Sequence, residues 1–139
     1  MKKSLATLFQ DSRGDLAEAA LTFPILMVLT LGLLNVGLVA FAALNASNAA
    51  HYGARVGSVS QAADPGYAGA LAALAKLEAV PVGTYDLAAW GGDAPGDLLA
   101  LQVSYRVPNW MYGFAQFFGL RAATDFSGST TVYFRKEGW

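Results

Sequence analysis

Residues 16 to 44 read LAEAALTFPILMVLTLGLLNVGLVAFAAL, and this stretch decides the fold. From Ala19 to Leu44 it contains no charged side chain. A helix needs roughly 20 predominantly apolar residues to cross the hydrocarbon core of a bilayer, so this stretch can cross with some tilt. The apolar part of a secretory signal peptide has only about 7 to 15 residues, which is much shorter. The chain is therefore predicted to be a single-span membrane protein.

The rest of the chain has room for one small domain, which we call the head. The sequence has 139 residues and no cysteine, which excludes disulfides, thiolate chemistry and cysteine-bearing zinc sites. Acidic and basic residues nearly balance after residue 64, so no basic patch indicates nucleic acid as a partner. The predicted division is a cytoplasmic leader at 1–14, the transmembrane part of a long helix at 15–44 and an extracytoplasmic head at 45–139.

The basic residues beside the apolar stretch predict its orientation. Lys2, Lys3 and Arg13 precede it, whereas Arg55 alone follows it within about 20 residues. Basic residues near a span resist translocation. The N-terminus is therefore expected in the cytoplasm and the head outside the cell membrane.

The helix is predicted to continue beyond the membrane, from about Asp15 to Ser60, because no proline follows Leu44 until Pro65. One face of this continuation carries only small residues, which let another backbone approach closely. This small-residue face consists of Ala42, Ala46, Ala49, Ala50, Gly53 and Gly57.

The head is predicted to contain a short second helix and a sheet. Asp64 is a plausible N-cap with Pro65 at the first helical position, which predicts a second helix from about Gly66 to Glu78. Three extended segments follow, at 84–90, 98–107 and about 126–135, and the last two alternate apolar and polar residues. The predicted fold class is membrane-anchored α+β, with a short second helix and a three-stranded antiparallel sheet.

Between Val107 and Arg121 lies an aromatic segment, PNWMYGFAQFFGL. Trp110, Phe114 and either Phe117 or Phe118 have helical spacing, which predicts a short amphipathic helix. The favoured interpretation is that this segment caps the core between two strands. The alternative is contact with the outer bilayer surface or with a neighbouring subunit.

No residue pattern indicates catalysis or a bound group. His51 is the single histidine and lacks the three or four converging ligands that zinc requires, so it is interpreted as a polar-face residue. Asp93 and Asp97 stand among glycines, which is more typical of a turn than of a calcium site. Nucleophile-elbow, Walker and dinucleotide motifs are not found. The sequence predicts a non-enzyme without cofactor or metal.

Three residues of the apolar stretch invite a functional interpretation. Glu18, at its cytoplasmic edge, is either an interfacial carboxylate favoured by the helix N-terminus or a carboxylate retained for a positive partner. Pro24 removes one backbone donor and should kink the helix. Asn35 lies near mid-membrane, where its amide should find a partner across a helix interface or bond to its own backbone.

The residues RGDLAEAALTFPILMVLTLGLL resemble the N-terminal signature of TadE-like pseudopilins of the tight-adherence (Flp-type) pilus system. NAAHYGAR resembles the family's N-A-A-x-x-G-A-R segment, and the end of the chain is also similar. This resemblance implies a pilin-like head and a prepilin peptidase that cleaves between Gly14 and Asp15. Glu18 departs from the processed members, being the fourth residue after Gly14 instead of the fifth. Asn35 stands where many relatives carry an acid.

The resulting prediction is a minor pilin-like component of a pilus assembly or secretion system, acting by helix packing. Its expected partners are the lipid bilayer and other pilin-like subunits, with no small-molecule substrate. The alternative is a membrane-anchored extracytoplasmic binding or sensor domain that acts alone, and an anchored enzyme ranks third. The residues assigned to assembly or helix packing are Glu18, Pro24, Asn35, Ala46, Ala50, Gly53 and Gly57.

Overall fold

The computed structural model describes the backbone of residues 5–138, and the side chains of residue 16 and residues 18–138. Three helices and three strands follow one another along this part of the chain. They are α1 Leu5–Val59, α2 Pro65–Glu78, β1 Thr84–Gly91, β2 Leu98–Pro108, α3 Tyr112–Phe117 and β3 Asp125–Arg135. This arrangement confirms the predicted membrane-anchored α+β fold class.

Helix α1 is a single helix of 55 residues, which corresponds to roughly 80 Å. Its described part starts at Leu5, about ten residues before the predicted start, and the sequence from Leu5 to Asp15 has no proline to interrupt the helix. It ends at Val59, one residue before the predicted end. Pro24 lies inside the helix, which continues through it.

Helix α2 begins as its sequence predicts. The Asp64 carboxylate accepts a hydrogen bond of 2.8 Å from the Tyr67 backbone N–H, and Pro65 takes the first helical position. The helix packs against the C-terminal half of α1 through Gly69, Ala73 and Leu77, all buried. Small residues on both helices allow this close approach.

The sheet has the order β1-β2-β3, and both neighbouring pairs are antiparallel. Its central strand, β2, turns Leu99, Leu101, Val103 and Val107 toward the core, where all four are fully buried. The core is formed by these side chains, the small-residue face of α1 and the buried face of α2. The head is therefore a helix and a sheet wrapped around one side of the C-terminal half of α1.

Candidate membrane and assembly surfaces

The N-terminal half of α1 is an exposed apolar surface. Most of its large side chains from Leu21 to Leu34 face outward, and Leu33 is 74% exposed. The most apolar stretch of the helix is largely exposed, unlike the core helix of a soluble protein, which is mostly buried. Residues 18–34 extend for about 25 Å, close to the roughly 30 Å thickness of a bilayer's hydrocarbon core. We call residues 18–34 the exposed half of α1.

The small-residue face of α1 lies under the chain's own head. A methyl group added at Gly53 would lie 2.5 Å from the carbonyl oxygen of Gly69 and 2.6 Å from Cδ2 of Leu101. At Gly57 it would lie 2.5 Å from Cδ2 of Leu99. Ala46 and Ala50 are fully buried in the same contact. These four residues therefore pack within the subunit and do not present a free face to a neighbouring one.

Asn35 marks the boundary between the exposed half of α1 and the part that the head covers. It is 3% exposed, and its Nδ2 donates a hydrogen bond of 2.8 Å to Oδ1 of Asn109. The two possibilities considered from the sequence were a partner across a helix interface and a bond to its own backbone, and the partner of Nδ2 is neither of them. The partner belongs to the loop after β2, 74 residues away in sequence, so a single sequence carries no signal for it.

Asn109 organises that loop through its whole side chain. Its Oδ1 also accepts a hydrogen bond of 3.0 Å from the Met111 backbone N–H. Its Nδ2 donates one of 2.8 Å to the carbonyl oxygen of Ala123, on the returning part of the loop. Asn109 therefore closes the loop at its base and fastens this base to α1, a role that sequence reasoning missed.

The aromatic segment, residues 108–120, projects from this base along the exposed half of α1. Every residue of α3 remains at least partly exposed, and Phe117 is 85% exposed. The prediction that this segment caps the core is therefore wrong, because Leu99, Leu101, Val103 and Val107 fill the core without it. An open apolar groove of about 450 Å³ separates the segment from α1, lined by Pro24, Ile25, Val28, Leu29, Phe114, Phe118 and Leu120.

Two buried polar groups lie close together beneath β1. The Tyr85 hydroxyl and Nδ2 of Asn45 are both buried without a hydrogen bond of good geometry among the described residues. Burial raises the pKa of the Tyr85 phenol, and the nearby Asn45 side chain and Val82 backbone partly offset this effect. Tyr85 is therefore neutral at physiological pH and is held against α1 mainly by packing.

Other candidate residues follow their simpler interpretations. The Asp97 carboxylate accepts a hydrogen bond of 3.0 Å from the Ala94 backbone N–H, which places it within a turn. His51 is exposed on α1. The outer face of the sheet carries an open hollow of about 310 Å³ with mainly polar lining, formed by Asp86, Ser104, Tyr105, Arg106, Ser127, Gly128 and Ser129.

Glu18 is exposed at the start of the exposed half of α1. Gly14 and Asp15 lie within the helical backbone of α1, and their side chains fall outside the described ones. The leader prediction at 1–14 falls partly outside the described residues, since these begin at residue 5. Peptidase processing and the pairing of Glu18 with a positive group both stay predictions.

Residues 16–55 match the model of a protein family described as TadE-like protein. Over these residues the chain is similar to TadE-like proteins. The resemblance noted in the sequence is thereby confirmed for this segment, whereas the similarity at the end of the chain lies outside the matched residues. No curated protein and no solved structure matches the chain.

The TadE-like segment includes the exposed half of α1 and most of its small-residue face. The matched segment is consistent with a TadE-like protein, and the apolar helix fits a single-pass membrane protein. The aromatic segment and the sheet lie beyond the matched residues. The TadE-like part of the molecule is therefore its membrane helix together with the surface on which the head is built.

Proposed function

We propose that this TadE-like protein is a minor pilin-like subunit of a tight-adherence-type pilus assembly system. One observation carries the proposal: the segment that matches the family contains about 25 Å of apolar helix that the protein's own head leaves uncovered. A surface of this kind requires lipid or other helices around it.

The proposed action is helix packing along the exposed half of α1. The head already occupies the small-residue face, so other pilin-like subunits would contact the side chains between Glu18 and Leu34. Van der Waals packing and polar contacts drive such association in lipid, where the hydrophobic effect contributes little. The other proposed partner is the lipid bilayer. The protein would cross it with its N-terminus in the cytoplasm and its head outside.

Glu18 is the residue proposed to meet a positive group in this assembly. An unpaired carboxylate is costly near the hydrocarbon boundary, and an opposite charge offsets that cost most effectively where the dielectric constant is low. Cleavage by a prepilin peptidase after Gly14 would leave a free ammonium on Asp15. That group would lie within one helical turn of Glu18, or would reach Glu18 of a neighbouring subunit.

The test is crosslinking in cells that carry the complete assembly system. A photoreactive side chain at Leu21, which is 71% exposed, should crosslink to pilin-like subunits, whereas the same group at Tyr67 on the head serves as the control position. Glu18→Gln should lower the Leu21 crosslink several-fold and leave membrane insertion unchanged, since insertion depends on total hydrophobicity. The absence of any subunit crosslink from Leu21 would contradict the proposal, and an unchanged yield in Glu18→Gln would remove the role of Glu18.

The same preparation also tests whether a prepilin peptidase processes the chain. Mass spectrometry of the extracted chain should show an N-terminus at Asp15 if the peptidase acts on it.

The alternative function, a membrane-anchored binding or sensor domain, would instead use a head surface such as the hollow that contains Asp86. Arg106→Ala should then abolish function without changing crosslinking, whereas the pilin proposal expects pilus formation to survive this substitution.

A further inference from the structure

We infer that the aromatic segment is a second membrane-embedded element, which enters the half of the bilayer nearest the head and lies beside α1. The exposed apolar surface of the segment is covered by the acyl chains of the same bilayer that α1 crosses. The inference does not depend on a role in pilus assembly.

The first argument is the depth of the segment along α1. Asn109 is bonded to Asn35, so the base of the loop lies at that level of the helix. Phe114, Phe118 and Leu120 share a groove with Pro24, Ile25, Val28 and Leu29. Those α1 residues lie about 9 to 16 Å below Asn35, which is up to half the thickness of a bilayer's hydrocarbon core. If α1 crosses the bilayer, the segment must enter the acyl chains with it.

The second argument is the composition of the segment. From Trp110 to Leu120 the sequence has no charged residue, and Tyr112 and Gln116 carry its polar side chains. These two side chains bond to each other, with Gln116 Nε2 donating to the Tyr112 hydroxyl at 2.6 Å. Arg121 follows on the returning part of the loop, where its long side chain can extend toward the headgroups.

The third argument is that the segment bonds several of its own backbone groups. Unpaired N–H and C=O groups are costly in hydrocarbon, so irregular backbone in lipid must bond internally. The amide of Tyr112 donates to the Asn109 carbonyl at 3.0 Å, and that of Ala115 to Met111 at 2.9 Å.

The C-terminal end of α3 is closed in the same way. Gly119 has φ +69°, and its N–H donates to the Gln116 carbonyl while that of Leu120 donates to Ala115, both at 2.9 Å. This is a Schellman motif, which bonds carbonyls that a helix end otherwise leaves free.

Because the chain has no cysteine, single nitroxide labels can report the surroundings of chosen residues in the full-length protein. Phe117→Cys tests the segment, Leu33→Cys is the control for lipid on α1, and Tyr67→Cys is the control for water on the head. The labelled proteins are reconstituted in phosphatidylcholine and phosphatidylglycerol vesicles at high and low protein-to-lipid ratio. The labels at Phe117 and Leu33 should be several-fold more accessible to oxygen, which partitions into lipid, than to a water-soluble nickel chelate. The label at Tyr67 should be more accessible to the nickel chelate than to oxygen.

Two results would overturn the inference while leaving the span intact. If Leu33 reports lipid and Phe117 reports water, the segment lies outside the bilayer. If Phe117 is shielded from both reagents at high protein density and becomes accessible on dilution with lipid, a second copy of the chain covers it.

A second measurement uses fluorescence. In a chain with Trp90→Phe, Trp110→Phe, Trp139→Phe and Phe117→Trp, brominated lipids should quench the introduced tryptophan several-fold more strongly than aqueous iodide does. Stronger quenching by iodide would also reject the inference.

Discussion

At the scale of single residues, Asn35 and Asn109 have unequal roles although they bond to each other. Asn109 uses both ends of its amide, whereas Oδ1 of Asn35 is buried without a partner among the described residues. A buried polar atom that lacks a partner costs free energy, so part of what Asn35 contributes through Nδ2 is lost at its oxygen.

Asn109→Ala should therefore destabilise the head more than Asn35→Leu does. The first substitution removes three side-chain hydrogen bonds and should lower the free energy of unfolding by about 1 to 3 kcal/mol. The second removes an unpaired oxygen and leaves Asn109 bonded to Met111, so its effect should be smaller. Denaturant unfolding in detergent micelles, followed by tryptophan fluorescence, measures both. Equal effects would mean that the loop base is not fastened through Asn109.

Tyr85 gives the head a sensitivity to alkaline pH. The raised pKa means that the folded state keeps the phenol proton above pH 10.0, the ordinary pKa at which the unfolded chain releases it. The contribution of Tyr85 is thus fully present below pH 10.0 and is lost as pH rises through the folded-state pKa.

In Tyr85→Phe the free energy of unfolding should decline less steeply with pH above 10.0, because this variant has no phenol proton to retain. The substitution should be nearly neutral at pH 7, since the hydroxyl has no hydrogen bond of good geometry. Unfolding curves of both proteins at neutral and alkaline pH provide the comparison. Parallel pH profiles would show that Tyr85 is not the group responsible.

At the scale of elements, α1 has two kinds of glycine that its sequence does not distinguish. Gly53 faces the carbonyl oxygen of Gly69 and the side chain of Leu101, whereas a methyl group at Gly37 would find nothing within 4 Å among the described residues. The two positions lie in the same helix, which makes them a matched pair.

Gly53→Ala should lower the free energy of unfolding by about 1 to 3 kcal/mol or more, because the added methyl group forces α2 and β2 away from α1. Gly37→Ala should leave it unchanged or raise it by up to about 1 kcal/mol, since alanine is the better helix former. Thermal unfolding in micelles, followed by near-ultraviolet circular dichroism, measures the difference. If both variants unfold like the parent chain, the packing of Gly53 against α2 is not close.

The elements differed in how well the sequence predicted them. Asp64 and Pro65 predicted the start of α2 because capping is a local interaction, and the alternation around Val103 predicted β2 because its two faces have different environments. The place of α3 could not be predicted in this way. The spacing of Phe114 and Phe118 shows that a helix has an apolar face, but what covers that face depends on residues distant in sequence.

The small-residue face shows the same limit. The sequence predicted a surface suited to close packing, and the structure has one, with Gly53 against Gly69 of α2. Whether the approaching backbone belongs to another subunit or to the same chain is decided by how the head folds back. The local pattern of glycine and alanine is the same in both cases.

At the scale of the whole molecule, the division of α1 into a covered and an exposed half determines what the protein can contact. The head covers one side of the helix from Asn35 onward, and the exposed half continues below it for about 25 Å. An uncovered apolar length so close to the thickness of a bilayer core fits a single span, and exposed apolar side chains continue to Leu44 on the side of α1 that the head does not cover. The orientation of that span then decides on which side of the membrane the head lies.

The basic residues predict a head outside the cell, and a single label tests this. An impermeant maleimide should label Tyr67→Cys in intact spheroplasts and leave it unlabelled in sealed inverted vesicles, since Tyr67 is 63% exposed on α2. In a variant with Lys2→Gln, Lys3→Gln and Arg13→Gln, labelling should divide between the two preparations, because Arg55 would then be the basic residue nearest the span. Labelling of Tyr67→Cys confined to inverted vesicles would place the head in the cytoplasm, and a pilin-like role for the head would then be untenable.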